Sequence, residues 1–296
     1  MITLPEGAVV RPLTAHLATE IRGFDVKRIG NETGAKAVRS LLFDRGVLVF
    51  KDQDLSPDDL LAFTRLFGEP ETPVLGKFTL PGFRNIYVLS NIVENGRPLG
   101  SRFDGYGWHT DLSYKERPSA YTALYGVKVP PEGGDTLFAS VQQAFLSFSE
   151  DERDRIRPLT ANYSYVALYE TRREPNKPPL SAEQRAQNPD CAHPVVRIHP
   201  ETGREGIYIG LDDCTGVNGM TPSEGRALIK RLYDIIAEPR FLYRHGWSVN
   251  DLVIWDNRMV MHTATPYDMD RWQRLLYRTT VIGERPIGWS NRASIK

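Results

Sequence analysis

The chain has 296 residues, 41% hydrophobic and 25% charged, the profile of an ordinary globular protein forming one large domain, 1–296. Lys plus Arg and Asp plus Glu stand at 37 each, so there is no basic footprint for nucleic acid or an anionic membrane, and any anion specificity is local. No apolar run approaches the ~20 residues of a membrane span, and the N-terminal M-I-T-L-P-E-G-A-V-V lacks the regions of a secretory signal, so a cytoplasmic location is expected.

Val38, Leu41 and Leu42 at helical spacing predict a helix over 32–45, with Gly46 as its C-terminal stop before the strand-like Val47-Leu48-Val49-Phe50. Ser56-Pro57-Asp58-Asp59 reads as a helix start, with Leu60, Phe63 and Phe67 inward and Gly68 at the end. The Asp52, Asp54, Ser56 pattern imitates a calcium loop but fails, because Pro57 replaces the turn glycine and Phe63 the bidentate glutamate. Short strands are expected at Ala120–Val129, Val195–Ile198, Gly206–Gly210, Leu252–Trp255 and Leu275–Ile282, separated by Gly, Pro and Asn turns. This pattern implies a β-sandwich or barrel core. A helix announced by the capping box Thr221-Pro222-Ser223-Glu224 continues through Leu228, Leu232 and Ile235. The polar, Pro-rich stretch 167–192 is too long for a routine connection and reads as a mobile insertion or lid.

The two cysteines, Cys191 and Cys214, are too few for a disulfide framework and lack C-x-x-C spacing, so they read as packing residues. Of six histidines, His16, His193, His199 and His245 read as surface or structural. His109 and Asp111, in G-W-H-T-D-L-S-Y-K, are two apart, and on an extended backbone both side chains leave one face toward a shared metal ion. The plain alternative is a solvated strand edge. His262 follows the strand Leu252–Trp255 and the turn Asp256-Asn257-Arg258; with His109 and Asp111 it completes two histidines and one carboxylate, the facial set of non-heme ferrous iron, which leaves adjacent positions open.

W-H-T-D at 108–111, G-G-D-T at 133–136, W-D-N-R at 255–258 with His262 following, and R-L-L-Y-R-T-T-V at 274–281 occur in family-like order. On these motifs the chain resembles the taurine dioxygenase family of Fe(II)- and 2-oxoglutarate-dependent oxygenases; G-F-D at 23–25 and V-F-K-D-Q at 49–53 extend the similarity toward the N-terminus. The resemblance implies a mainly β fold with flanking helices, a double-stranded β-helix or jelly roll. It implies iron ligands His109, Asp111 and His262, and a 2-oxoglutarate site in which Arg274 takes the distal carboxylate through its two-pronged guanidinium and Thr136 donates its hydroxyl. It implies that Arg278, on the same strand face as Arg274, binds an anionic substrate; the neighbouring aromatics Phe103 and Tyr106, in a segment that departs from the family pattern, are expected to supply the apolar wall. Read singly, Thr136 is also a turn cap, Arg274 a surface residue and Arg278 a salt-bridge partner. The implied reaction couples oxidation, as by hydroxylation, of a sulfonate, alkyl sulfate, aryloxyalkanoate or amino-acid-like carboxylate to oxidative decarboxylation of 2-oxoglutarate by O2, giving succinate and carbon dioxide. A homo-oligomer, dimer or tetramer, with no nucleic-acid or membrane partner, is expected. Two rivals remain: a zinc hydrolase using the same three ligands, which leaves Arg274 and Thr136 unexplained, and a catalytically silent binding protein of the same fold.

Overall fold

A computed structural model of the chain describes residues 7–29, 32–73, 76–172 and 178–294. An eight-stranded sheet runs in the spatial order Val9–Pro12, Thr19–Arg22, Val47–Phe50, Leu252–Asp256, Ser119–Lys128, Leu275–Ile282, Phe83–Ser90, Thr79–Leu80. Its pairings are antiparallel except that between Thr19–Arg22 and Val47–Phe50. A three-stranded sheet, Leu242–His245, Thr136–Ser140 and Val260–Ala264, packs across from it.

Period-two alternation explains the layering. Leu48 and Phe50 pack with Val38 and Leu42 of helix Glu32–Arg45 and with Leu60 and Phe63 of helix Pro57–Arg65. Val47 and Val49, on the opposite face of the same strand, meet Trp255, Leu276, Phe138 and Val260 between the two sheets. On the far side of the smaller sheet, Ala139 and Met261 pack with Ile229, Leu232 and Ile236 of helix Pro222–Ile236. Each such buried side chain is worth roughly 1.5–3 kcal/mol over exposure, so the apolar clusters fix the sheet spacing that the site inherits. Because Val260 points between the sheets and Met261 away from them, His262 points back between them.

Both capped helices form as their sequences require. The Ser56 hydroxyl accepts the Asp59 N–H while the Asp59 carboxylate accepts the Ser56 N–H, and Thr221 and Glu224 repeat the arrangement. Leu275–Ile282 is a strand over its full expected range, and the strand expected at Ala120–Val129 spans Ser119–Lys128. The expected Gly206–Gly210 is shorter, Glu205–Ile207, and pairs with Val196–Ile198. Helices Val141–Leu146 and Glu150–Ile156 and strand Phe83–Ser90 were not anticipated. The stretch 167–192 carries most of helix Tyr165–Arg172, a short helix Ala182–Ala186 and the start of strand Cys191–Pro194; its residues 173–177 lie outside the described residues. Cys191 and Cys214 are free thiols on two strands that pair with opposite sides of Tyr163, too far apart to join.

Asp256-Asn257-Arg258 forms the turn by which the chain leaves the large sheet and enters the small one. Asp256 Oδ1 accepts from both the N–H and the Nε–H of Arg258, at 2.8 Å each, and the guanidinium also reaches the Tyr121 hydroxyl and Glu201. His199 closes this buried network on Asp256 at 3.0 Å. His193 and His245 are likewise buried, with partners Lys115 O and Asp251, whereas His16 is exposed.

Candidate metal centre and adjoining cavity

His109 and His262 meet in an isolated antiparallel bridge, and Asp111 opens the turn that follows it. The extended H-x-D strand expected from the sequence is therefore only a one-residue bridge, continued by a turn in which Leu112 has φ +56°. Convergence is nevertheless achieved: one ligand atom from each of His109, Asp111 and His262 lies within 4.8 Å of the others. Asp111 Oδ2 is 3.6 Å from His262 Nε2, and Asp111 Oδ1 is 4.0 Å from His109 Nε2.

The electrostatics suit a divalent cation. Burial, with help from the neighbouring His109, pushes His262 down to about 3, and burial also lowers His109, so both imidazoles are neutral near pH 7. His109 Nδ1 lies 2.7 Å from the Gly107 carbonyl, which fixes its proton there and leaves the Nε2 lone pair facing Asp111. Burial disfavours the Asp111 carboxylate, but His262, Arg278 and His109, with a hydrogen bond from Thr122, outweigh it and lower its pKa. His262 Nε2 faces the carboxylate, and its ring packs 4.6 Å from that of Trp255. Two neutral imidazoles and a carboxylate, brought together from one turn segment and one strand, fit a small divalent metal.

Arg274 precedes strand Leu275–Ile282 and is 7% exposed. Its backbone is pinned on both sides, its N–H donating to Asn91 and its carbonyl accepting from the Ser90 hydroxyl, at 2.8 Å each. Its Nε has no hydrogen-bond partner, and it forms no ion pair among the described residues. Burial lowers its pKa, offset in part by Tyr267, Tyr106 and Asp135. Beside it, Gly133 and Gly134 have φ +70° and +65°, and a Cβ on Gly134 would lie 2.9 Å from Pro130 and 3.5 Å from the Arg274 side chain. These glycines lead into Thr136, which pairs with Ala264, two residues along from His262. Thr136 Oγ1 accepts from Trp247 Nε1 at 3.1 Å and keeps its own proton to donate.

Arg278 lies over the Tyr87 ring at 4.7 Å, with Nη1 3.5 Å from Asp111 Oδ1. It borders a cavity of about 240 Å³ shared with His109 and Asp111. The other walls include Trp108, Tyr114, Tyr165, Leu168, Tyr169 and Arg172. Tyr114 and Tyr165 are 4.8 Å apart between ring centroids, and Arg172 is held by Asp212 at 2.8 Å. Phe103 is not a wall: it is 55% exposed, with its ring under Arg102. Tyr106 is half-buried toward Arg274 rather than in the cavity. The tyrosines that do form the wall were missed, although Y-S-Y-V-A-L-Y at 163–169 carries two of them four residues apart on one helix face.

Residues 10–280 match the family model described as taurine catabolism dioxygenase TauD, TfdA family. The alpha-ketoglutarate-dependent 2,4-dichlorophenoxyacetate dioxygenase of Cupriavidus pinatubonensis is 31% identical over 287 residues, covering 92% of this chain and 97% of that protein. The (S)-phenoxypropionate/alpha-ketoglutarate-dioxygenase of Sphingobium herbicidovorans is 28% identical, covering 93% and 95%. Among solved structures, a taurine dioxygenase from Burkholderia xenovorans superposes with TM-score 0.79 at 30% identity, covering 96% of this chain and 92% of that one. AAD-2, solved with Mn(II) and N-oxalylglycine, gives 0.80 at 26%, covering 94% and 98%. A model match across nearly the whole chain, on a fold that brings His109, Asp111 and His262 together, establishes that this chain belongs to the TauD, TfdA family of dioxygenases.

Proposed function

We propose that the protein is an Fe(II)- and 2-oxoglutarate-dependent dioxygenase that oxidises a small organic anion. His109, Asp111 and His262 would hold one ferrous ion, which when bound supplies the redox chemistry of oxygen activation. Arg274 and Thr136 would receive the distal carboxylate of 2-oxoglutarate, and Arg278 the anionic end of the substrate. The observation that carries this reading is Arg274, a buried guanidinium with an orphaned Nε and no ion pair among the described residues, the nearby Asp135 being paired with Arg244 instead. A desolvated cation is costly unless an anion meets it, and a carboxylate matches its fork. A zinc hydrolase leaves that residue and Thr136 without a task, and a silent binding protein has no need of three convergent ligands that leave a metal open.

The tyrosine-rich wall beside Arg278 favours an aryl group joined to an acid, so that aryloxyalkanoates fit best among sulfonates, alkyl sulfates and amino-acid-like carboxylates. The relatives that act on 2,4-dichlorophenoxyacetate and phenoxypropionate support the same class. The two packed sheets support a double-stranded β-helix, with the ligands between its halves.

The test is anaerobic loading with Fe(II), then succinate measurement with 2-oxoglutarate and a panel of those four substrate classes, with and without O2. Succinate that requires O2 and rises with one class is expected. Substrate cleavage without O2 supports the hydrolase, and binding without turnover the silent protein.

A further inference from the structure

Asn257, the third residue of W-D-N-R, is 1% exposed and adjoins Asp111. Its Oδ1 accepts the indole N–H of Trp255 at 3.0 Å and the backbone N–H of Asp111 at 3.4 Å. Both partners only donate, so the orientation of the amide is determined and Nδ2 must face Thr122. Nδ2 donates to Thr122 Oγ1 at 2.9 Å. With its acceptor side engaged, the hydroxyl directs its single proton to Asp111 Oδ2, at 2.7 Å. The chain of donors therefore has one sense, from Asn257 through Thr122 to the carboxylate. The same amide also holds Trp255, whose ring packs against His262. One buried side chain thus ties the backbone of one ligand, its carboxylate, and the ring flanking another.

We propose that Asn257, acting through Thr122, is the positioning residue that orients the Asp111 carboxylate for metal binding. This rests on the reading of His109, Asp111 and His262 as metal ligands. Thr122 belongs to strand Ser119–Lys128 and Asn257 to the turn between the sheets, so the relay refers the carboxylate to the scaffold rather than to its own loop.

The probe is Co(II), titrated into chelator-stripped full-length protein, with the unfolding temperature in chelator measured in parallel. Wild type should bind one Co(II) and Asp111→Ala none; wild type that binds no Co(II) defeats the metal reading and this proposal together. Thr122→Val, which keeps shape and removes the proton, should weaken Co(II) about 10- to 100-fold, while Thr122→Ser should stay within about threefold of wild type. Asn257→Asp places an acceptor where Nδ2 stood and draws the Thr122 proton away from Asp111. Its added negative charge alone would tighten cation binding, so weakened binding is the signature of lost orientation. If Thr122→Val does not fold in chelator, Asn257→Asp carries the test. Wild-type Co(II) affinity in both Thr122→Val and Asn257→Asp, with Asp111→Ala still inactive in binding, overturns the positioning role and leaves the metal reading standing. Equal weakening in Thr122→Ser and Thr122→Val also overturns it, since the hydroxyl would then not be what matters.

Discussion

His109 and His262 each donate a backbone N–H to the other's carbonyl, at 3.0 and 2.9 Å, and their rings lie 4.2 Å apart between centroids. The main-chain bonds set the spacing of the two backbones, and the Gly107 carbonyl and the Trp255 ring hold the two imidazoles on them. His262→Ala should keep this bridge and the fold while removing one ligand. Metal content and succinate formation should both collapse, with metal affinity falling by more than the ~100-fold upper range for outer-shell changes. Metal analysis after desalting checks it; retained iron with turnover would contradict the assignment.

The two arginines separate in a paired titration. Arg274→Ala removes the proposed partner of the co-substrate carboxylate and should raise the 2-oxoglutarate requirement by about one to two decades, the range of a charge-assisted hydrogen bond of roughly 1.5–3 kcal/mol. Arg278→Ala should leave that requirement nearly unchanged, weaken the aryl acid, and uncouple succinate formation from product. If Arg278→Ala disturbs only the 2-oxoglutarate series, the two roles are exchanged.

Helix Tyr165–Arg172 lends Tyr165, Leu168, Tyr169 and Arg172 to the cavity while burying none of its residues. A wall with so little apolar anchorage should open easily and be ordered by the ligand that fills it. Amide exchange across 165–172 and 178–190 should slow when 2-oxoglutarate, metal and substrate are all present. Equal exchange in the free and filled protein would remove the lid role.

Acid should unfold the metal-free protein early. Burial holds His262 near 3 and His193 near 4, well below the ~6.5 of an unfolded histidine. Below pH ~6.5 the unfolded chain therefore takes up protons that the folded chain refuses, and stability falls as pH drops toward those values. Each such group contributes up to ~1.4 kcal/mol per pH unit in that window. Asp111, whose pKa is lowered, acts in the same sense: its stabilisation is present above the usual carboxylate range and is lost as pH falls through its folded pKa. His193→Gln should flatten the dependence of Tm on pH between about 4 and 6.5 without altering Co(II) binding. An unchanged slope would show that His193 does not titrate there.

What was legible in the sequence was local or periodic. Ser56 and Thr221 announce their helices through side chains that bond three residues on, and Val47 to Phe50 display their two faces by alternation. The same capping logic applies to helix Glu150–Ile156, whose Ser149 and Glu152 form the reciprocal pair. His109, Asp111 and His262 were legible as residue types, but their convergence depends on a cross-strand bridge rather than on an extended H-x-D strand. The cavity wall was not legible, because Tyr114 and Tyr165 meet only through tertiary packing. Phe103 shows the opposite failure: an aromatic near the motif in sequence turns outward.

Asp111 and His262 come from distant parts of the chain, and a cation held by both ties those parts together as a removable cross-link would. Closing so long a loop in the folded state alone makes the free metal concentration a variable of folding, contributing ~2.7 kcal/mol when the metal stands at about a hundred times its dissociation constant. The unfolding temperature of the protein would then report how fully such a site is loaded, rising with added metal and returning to the metal-free value on chelation.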